Sequence, residues 1–489
     1  MLLKDLLSSA GYCADEKDND IEICGIASDS RRVKPGDLFV AIKGLSQDGF
    51  LHIGEALSRG AVFVVGERRA MGVPMLVVEN ARQALARLFD AWYAHPARDL
   101  TLIGITGTNG KTSTAAMLVA VLEAAGHKCG MIGTVNARCC GEVLVAENSD
   151  KLANLTTPDP AELYRLLAEM RRMGASFVVM EVTSHALFFE KTAPLRFARA
   201  VFTNLTPDHL DLHGDMMTYY LEKRKLFAQC DMGVISLFGP YGQQLADSLE
   251  VPFFTVGRSN VRSVVANGDD GVSFSLEGMD GMLDIFLPVP GDFSVENAAL
   301  AAMTALSLGV EGETVKSALA AFRGVRGRME RVGENTLGIS VFLDYAHTPD
   351  ALEKLLLTVR RFRRADQRII LLFGCGGNRD RTKRRKMGRI ASRLADLTII
   401  TSDNARSEDP NAIIADILKG IDKEKPYKII ADRREAIAYA VDTAAPGDIL
   451  LLAGKGHEEY EIKGRYRLPF SEREIVAACM AKKVEERSL

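Results

Sequence analysis

Paired cysteine spacing is the first thing missing from this sequence. Its eight cysteines contain no C-x-x-C, which excludes a zinc knuckle or a redox dithiol of the common kind. Free thiols in a long chain suit a reducing cytosol. Charge of one sign is missing too. With 61 basic and 64 acidic residues the net charge is −3, so nothing in the overall balance points to a nucleic acid or a membrane surface. Long hydrophobic runs are absent: stretches such as Ile369–Phe373 and Ile449–Ala453 are far too short to span a bilayer. The opening MLLKDLLSSAGYCADEKDND lacks a basic segment followed by a long apolar core, and is expected to be a short amphipathic helix rather than a signal peptide. These exclusions predict a cytoplasmic protein without membrane insertion.

What is present is ample globular material: 489 residues, 47% hydrophobic and 26% charged. At roughly 150 residues per domain, three domains are expected. Residues 22–66 alternate short β-rich runs with turns, and a helix over Ala81–Tyr93 should stop near His95-Pro96, which places a first boundary at 98. A second unit, 99–328, begins with strand Leu100–Thr106, a glycine-rich loop and helix Thr112–Ala125, followed by strands Phe177–Val182 and Ala198–Thr203. Strands separated by helices predict a mostly parallel sheet covered on both faces. Phe254–Val256, Val272–Phe274 and Leu283–Phe286 read as antiparallel hairpins, and helix Val295–Leu308 follows. The Gly/Arg-rich stretch Phe322–Arg331 reads as a linker. A third α/β unit, 329–489, is expected from strands at Ser340–Asp344, Arg368–Phe373, Leu397–Thr401 and Ile449–Ala453 alternating with helices. Two basic runs, Arg360–Arg364 and Arg379–Lys386, have no interleaved aromatics, and a nucleic-acid surface is not expected.

The most informative segment is Gly107-Thr108-Asn109-Gly110-Lys111-Thr112-Ser113. A strand enters it and a helix leaves it. Backbone N–H groups at such a helix start point toward anions, and glycines let the chain approach phosphate oxygens closely. Lys111 can neutralise β- and γ-phosphates, and the Thr112 hydroxyl can ligate Mg²⁺. The common phosphate-loop pattern wants glycine where Ile105 stands, so this is a variant with glycine at 107; the alternative is an ordinary helix-start turn.

That loop resembles the phosphate loop of the Mur ligase family, the ATP-dependent ligases of peptidoglycan precursor synthesis. Other segments match the family in order along the chain: Met180-Glu181-Val182-Thr183-Ser184-His185; Thr203-Asn204-Leu205 with Asp208-His209-Leu210-Asp211; Gly291, Phe293, Val295 and Asn297; Gly327-Arg328-Met329-Glu330; and Asp344-Tyr345-Ala346-His347-Thr348-Pro349. The resemblance implies a small N-terminal α/β domain binding a UDP-sugar, a central ATPase-like domain and a C-terminal Rossmann-like domain binding an amino acid. It implies a monomer acting on small molecules.

The resemblance also assigns roles. Thr112 and Glu181 would hold one Mg²⁺ and His209 would help hold a second. Lys223, which by itself reads as a surface helix lysine, would be carbamylated and so become an anionic metal ligand. Asn297 would contact adenine, Asp344 ribose, and Arg328 the ATP phosphates. Ser28, Ser30 and the loop Leu45-Ser46-Gln47 would meet uridine diphosphate, although these segments also read as plain turns. Thr156, Thr157, Thr183 and Lys191 would meet the muramyl peptide, with Phe189 where a relative has a polar Gln and Lys191 in place of Arg.

Phe373–Asp380, Asp403-Asn404-Ala405-Arg406 and Gly454-Lys455-Gly456-His457-Glu458 are most similar to family members that add the third peptide residue. Asp403–Arg406 resembles a diaminopimelate-recognition motif, with Ala405 where the motif has proline. Arg406 offers the planar two-donor fork that suits a carboxylate. Arg379 would take the second carboxylate, and Gly454 and Glu458 the distal ammonium. Lysine or lanthionine remain alternatives to meso-diaminopimelate. A folylpolyglutamate-synthetase-like ligase and an ATP-dependent switch module remain alternatives to the whole reading.

Overall fold

A computed structural model describes residues 1–13, 15–45, 47–145, 156–279, 281–333 and 337–488; Ser46 lies outside the described residues. Near the N-terminus, Gly25–Ala27, Asp37–Ala41, Phe63–Gly66 and Met75–Val77 form a four-stranded parallel sheet in chain order. Alternation divides its residues between two layers. Leu38, Val40, Phe63 and Val65 share a core with helices Leu3–Ser9 and Ala81–Trp92, while Phe39, Ala41, Val64 and Met75 pack with Ile53 and Ala56. The Asn80 side chain caps the second helix at Arg82 and Gln83 N–H, and the chain leaves it through left-handed Ala94 and His95 before Pro96. The first of these cores continues into the next unit, where Leu163, Leu166 and Val178 belong to the same cluster.

The central sheet has eight strands in the order Phe253–Val256, Gly233–Ser236, Arg199–Phe202, Thr101–Thr106, Phe177–Glu181, Cys129–Ile132, Ala137–Cys139, Glu142–Val145. The first six are mutually parallel and the last two pair antiparallel. Phe253–Val256, expected in a hairpin, is instead the edge strand of this sheet, parallel to Gly233–Ser236. An edge strand with one face exposed carries the same apolar alternation as a hairpin, so the sequence pattern does not separate the two. The hairpins are real for the next three strands, Val261–Ala266, Val272–Gly278 and Gly281–Leu287, which form their own antiparallel sheet. Part of the expected linker is also ordered as strand: Glu330–Val332 pairs antiparallel with Ser340–Asp344.

The last large sheet runs Glu330–Val332, Ser340–Asp344, Ile449–Ala453, Ile369–Phe373, Leu397–Ile400, Tyr427–Ile429, parallel beyond its first pair. Its central strands are buried throughout because helices cover both faces. A hairpin, Tyr460–Lys463 with Tyr466–Pro469, follows it. Members of both basic runs pair with carboxylates: Arg361 with Asp292, Arg363 with Asp396, and buried Arg384 with Glu408 at 3.0 Å and Asp416 at 3.1 Å. Among the described residues, no helix is long and apolar enough to cross a membrane.

Candidate active site

Strand Thr101–Thr106 lies mid-sheet, with Phe177–Glu181 on one side and Arg199–Phe202 on the other. The register puts Glu181 beside Ile105 and Phe202 beside Thr106, so two strand ends flank the loop that follows. Ligands bind at such carboxyl ends. Gly107, at φ 147°, could not carry a side chain, since a Cβ there would lie 1.9 Å from Thr203 Oγ1. Thr203 Oγ1 donates to Asn109 O at 2.6 Å. The Asn204 side chain brackets the same residue, accepting from Asn109 N at 2.9 Å and donating to its carbonyl at 3.1 Å. Thr203-Asn204 therefore shapes the loop. Gly110, at φ 86°, starts helix Lys111–Ala124, and a Cβ there would lie 2.3 Å from Asn297 Oδ1. Asn297 thus packs against a position only glycine can fill, and Thr114 donates to the same oxygen at 3.3 Å.

Lys111 donates to the carbonyls of Gly107 at 2.8 Å and Thr108 at 2.9 Å. Lys223, in helix Met216–Ala228, donates to the same Gly107 carbonyl at 2.9 Å and places its amine 4.6 Å from the Tyr219 ring centre. The two amines thus lie within two hydrogen-bond lengths of each other. Lys223 is not the surface lysine its helix suggests: only 2% of it is exposed. Burial, with Lys111 adding to it, holds its amine well below the ordinary lysine range.

Glu181 is fully buried. Its Oε2 accepts from Thr112 Oγ1 and Thr134 Oγ1, each at 3.0 Å, and its Oε1 accepts from Thr134 N at 2.9 Å. The side chain and backbone of Thr134, absent from the sequence reading, thus orient this carboxylate. All these partners are neutral, and the oxygens of Thr112 and Glu181 converge, a donor set that suits a hard cation such as Mg²⁺. His209 adopts a left-handed conformation at the start of helix Leu210–His213, with 47% of its side chain exposed and its ring 4.7 Å from that of His185. Replacing Glu181 with Gln, which keeps the shape and removes the charge, is expected to lower kcat/KM about 10²-fold with an unchanged melting temperature, as ADP release and thermal denaturation would show.

On the far side of Glu181, Thr157 Oγ1 donates to the Glu181 carbonyl at 2.8 Å and lies 3.3 Å from Thr183 Oγ1, while Thr156 and Thr134 hydroxyls are 3.1 Å apart. Lys191 is buried, donating to Thr157 O at 3.3 Å and paired with Asp159 at 2.8 Å. Phe189 receives the Arg82 guanidinium 4.9 Å from its ring centre, which links the first unit to this threonine cluster. In that unit Ser30 is buried and donates to Glu55 at 2.7 Å, whereas Ser28, Leu45 and Gln47 are exposed.

The third unit meets the phosphate loop directly. Asp350 accepts from Asn109 Nδ2 at 3.0 Å and Thr206 Oγ1 at 3.3 Å. Arg328 lies over the Tyr345 ring at 4.7 Å, and Asp344 accepts from Met329 N and Ala346 N, each at 2.8 Å. At the carboxyl edge of the third sheet, Asn404 Nδ2 donates to Glu458 at 2.6 Å, and Gly454 is close enough that a Cβ would lie 3.1 Å from Asp403. Arg406 Nη1 donates to Gly377 O at 2.9 Å and Asn404 O at 3.3 Å. Arg406 has φ 53°, and the turn is held from outside: Arg406 N donates to Ile462 O at 3.0 Å and Gly464 N to Arg406 O at 2.7 Å. Ala405 stands where proline would stiffen the turn, and the hairpin supplies that restraint. Arg379 is exposed on the rim. Burial, then Asp403 beside it, pushes the Glu458 carboxyl up to about 7.

The Mur ligase family catalytic-domain model matches residues 22–93, the Mur ligase middle domain 105–305, and the glutamate ligase domain 327–456. A UDP-N-acetylmuramoyl-L-alanyl-D-glutamate--2,6-diaminopimelate ligase of Caldanaerobacter subterraneus subsp. tengcongensis is 42% identical over 98% of this chain and 99% of its own. The chain belongs to the Mur ligase family. A Syntrophomonas wolfei protein of the same name is 40% identical over 99% of this chain and all of its own. A solved structure bearing that name superposes at TM-score 0.70 with 27% identity, covering 99% of this Mur ligase and all of that chain. The three-part α/β architecture is thus the family's, and Mur ligases are ATP-dependent enzymes that form peptide bonds.

Proposed function

We propose that this chain is the ligase that joins meso-diaminopimelate to UDP-N-acetylmuramoyl-L-alanyl-D-glutamate, with ATP, in peptidoglycan precursor synthesis in the cytoplasm, working as a monomer. The observation that carries the choice of amino acid is that Asn404 joins Arg406 to Glu458: its carbonyl accepts from Arg406 Nη1 and its Nδ2 donates to Glu458, with Asp403 next to it in the chain, so a guanidinium and carboxylates stand in one pocket and complement a ligand bearing a carboxylate and a distal ammonium. Relatives whose printed names specify this reaction support it over the full length.

In this reading residues 1–98 bind the UDP-sugar through Ser28, Ser30, Leu45, Ser46 and Gln47, residues 99–328 bind ATP, and residues 329–489 bind the amino acid. Thr156, Thr157, Thr183 and Lys191 face the muramyl peptide. The loop amides from Gly107 to Ser113 and Lys111 hold the triphosphate, with Asn297 at adenine, Asp344 at ribose and Arg328 reaching the phosphates. The free carboxylate of the dipeptide attacks the γ-phosphorus, the bond to the bridging oxygen breaks and ADP leaves. The amine of diaminopimelate then attacks the acyl phosphate, losing a proton, and phosphate departs from the new amide. Thr112, Glu181, His209 and a Lys223 carbamate would hold Mg²⁺, which supplies charge neutralisation at the transferring phosphoryl group. The buried, easily deprotonated amine of Lys223 suits reaction with CO₂. Asp350 closing on Asn109 and Thr206 keeps water from the acyl phosphate.

ADP formation would be followed with the muramyl dipeptide and, separately, meso-diaminopimelate, L-lysine and lanthionine. Turnover requiring both the dipeptide and diaminopimelate is expected. Equal turnover with lysine would keep the ligase and remove the specificity. ATP hydrolysis indifferent to every substrate would favour a switch module. A pH dependence follows as well. Glu458 is ionised only above about 7, so KM for diaminopimelate should fall about tenfold between pH 6 and 8 as that carboxylate charges. The sign is opposite for stability: a carboxyl raised from its ordinary 4.5 disfavours the folded state progressively as pH climbs from 4.5 through 7.

A further inference from the structure

Behind Asp403, Asn404 and Glu458 lies a lysine to which no role has been given so far. Lys455 is entirely buried. Its ammonium donates to Tyr460 O at 2.8 Å and Asn404 Oδ1 at 3.1 Å, and stands 3.5 Å from Asp403 Oδ1 and 3.9 Å from Glu458 Oε2. Asn404 is the hinge of this group. Its Oδ1 also accepts from Ile462 N at 2.9 Å, and its Nδ2 donates to Glu458 at 2.6 Å. An amide can be turned either way, but a cation on one side requires the oxygen there and leaves the nitrogen for Glu458. Two carboxylates this close in a buried place would otherwise repel, and one would take up a proton.

We propose that Lys455 is a positioning residue for amino-acid selection: with the Ile462 N–H it fixes the amide orientation of Asn404, and it holds Asp403 and Glu458 as a pair of anions aimed at the distal ammonium of the incoming amino acid. The inference rests on the amino-acid pocket proposed above and adds a residue to it. Without the Lys455 ammonium the Asn404 oxygen would keep only the Ile462 N–H as donor, and Asp403 and Glu458 would lose the cation that stands beside both. Arg433 and Arg406 are further cations near these carboxylates, and each makes its hydrogen bonds to other groups. Arg433 is bonded to Glu472 at 2.7 Å and to the Ser402 and Ala453 carbonyls, and Arg406 to the Gly377 carbonyl at 2.9 Å. The Asp403 carboxyl is held below the usual range against the opposing effect of burial, with Lys455 and then Arg433 responsible. Tyr345 also faces Glu458, and His347 faces Asp403.

The test compares wild type with Lys455→Met, which keeps the length and apolar stem, and with Lys455→Arg. Steady-state KM would be measured for diaminopimelate, ATP and the muramyl dipeptide from pH 6 to 9. The methionine variant is expected to raise KM for diaminopimelate at least tenfold and to shift its fall with pH to higher pH, with the other two KM values within twofold of wild type and partial recovery in the arginine variant. A purely structural lysine would lower melting temperature and depress all three substrates alike, with the pH profile unmoved; that result overturns the proposal. An unchanged KM for diaminopimelate in a folded methionine variant overturns it too. If wild type itself does not use diaminopimelate, the pocket reading fails instead, and the two failures are separate.

Discussion

Lys223→Ala is expected to lower kcat about 10³-fold while leaving KM for ATP and the muramyl dipeptide within a few-fold of wild type. The magnitude is that of removing one preorganised charge from a water-poor site. Among the described residues Lys223 makes no ion pair; its amine rests on the Gly107 carbonyl and the Tyr219 ring, beside the phosphate loop. A buried amine with so little compensation is a poor device for stability, which is why a chemical role suits it. Wild-type enzyme depleted of CO₂ should lose activity and regain it with bicarbonate, whereas the alanine variant should be indifferent to bicarbonate. Near-normal kcat in the variant would remove the carbamate from the reading and leave Lys223 as a support for the loop.

Arg406→Ala is expected to raise KM for diaminopimelate by about 10²- to 10³-fold, in line with 2–5 kcal/mol for truncating one partner of a buried charge pair and about 1.4 kcal/mol per tenfold. L-lysine, which lacks the second carboxylate, should change far less, so the ratio of the two kcat/KM values is the sharper measurement. Loss of activity toward both amino acids in equal proportion would assign Arg406 to the geometry of the turn rather than to recognition.

The phosphate loop was legible because its parts are consecutive: a strand, Gly107, Gly110, Lys111 and a helix specify one local shape. Glu181 was legible as a strand end, and the register with Ile105 brings it to Thr112. What escaped was whatever depends on distant segments meeting. Thr134 is an unremarked residue after Met131-Ile132 until the fold sets it on Glu181. Asp350 reads as a helix-start acid after Pro349, and only the approach of the third unit gives it Asn109. Lys455 sat inside a quoted motif, but its burial beside Asp403 and Asn404 brings together residues that, for Asn404 and Lys455, are 51 apart in sequence. Phe253–Val256 was misplaced for a related reason, since an apolar strand carries no mark of which sheet it will join.

The left-handed backbone at Arg406 carries an evolutionary consequence. An L-residue held at φ 53° costs about 1–2 kcal/mol that glycine would not, so the backbone alone favours glycine at this position. In the function proposed above, the side chain is what the amino-acid pocket needs. Stability and selectivity therefore pull in opposite directions at one residue, and drift that merely stabilises the third unit would tend to erase its choice of substrate. In that reading a lineage that keeps arginine here is held there by its cell wall more than by its backbone.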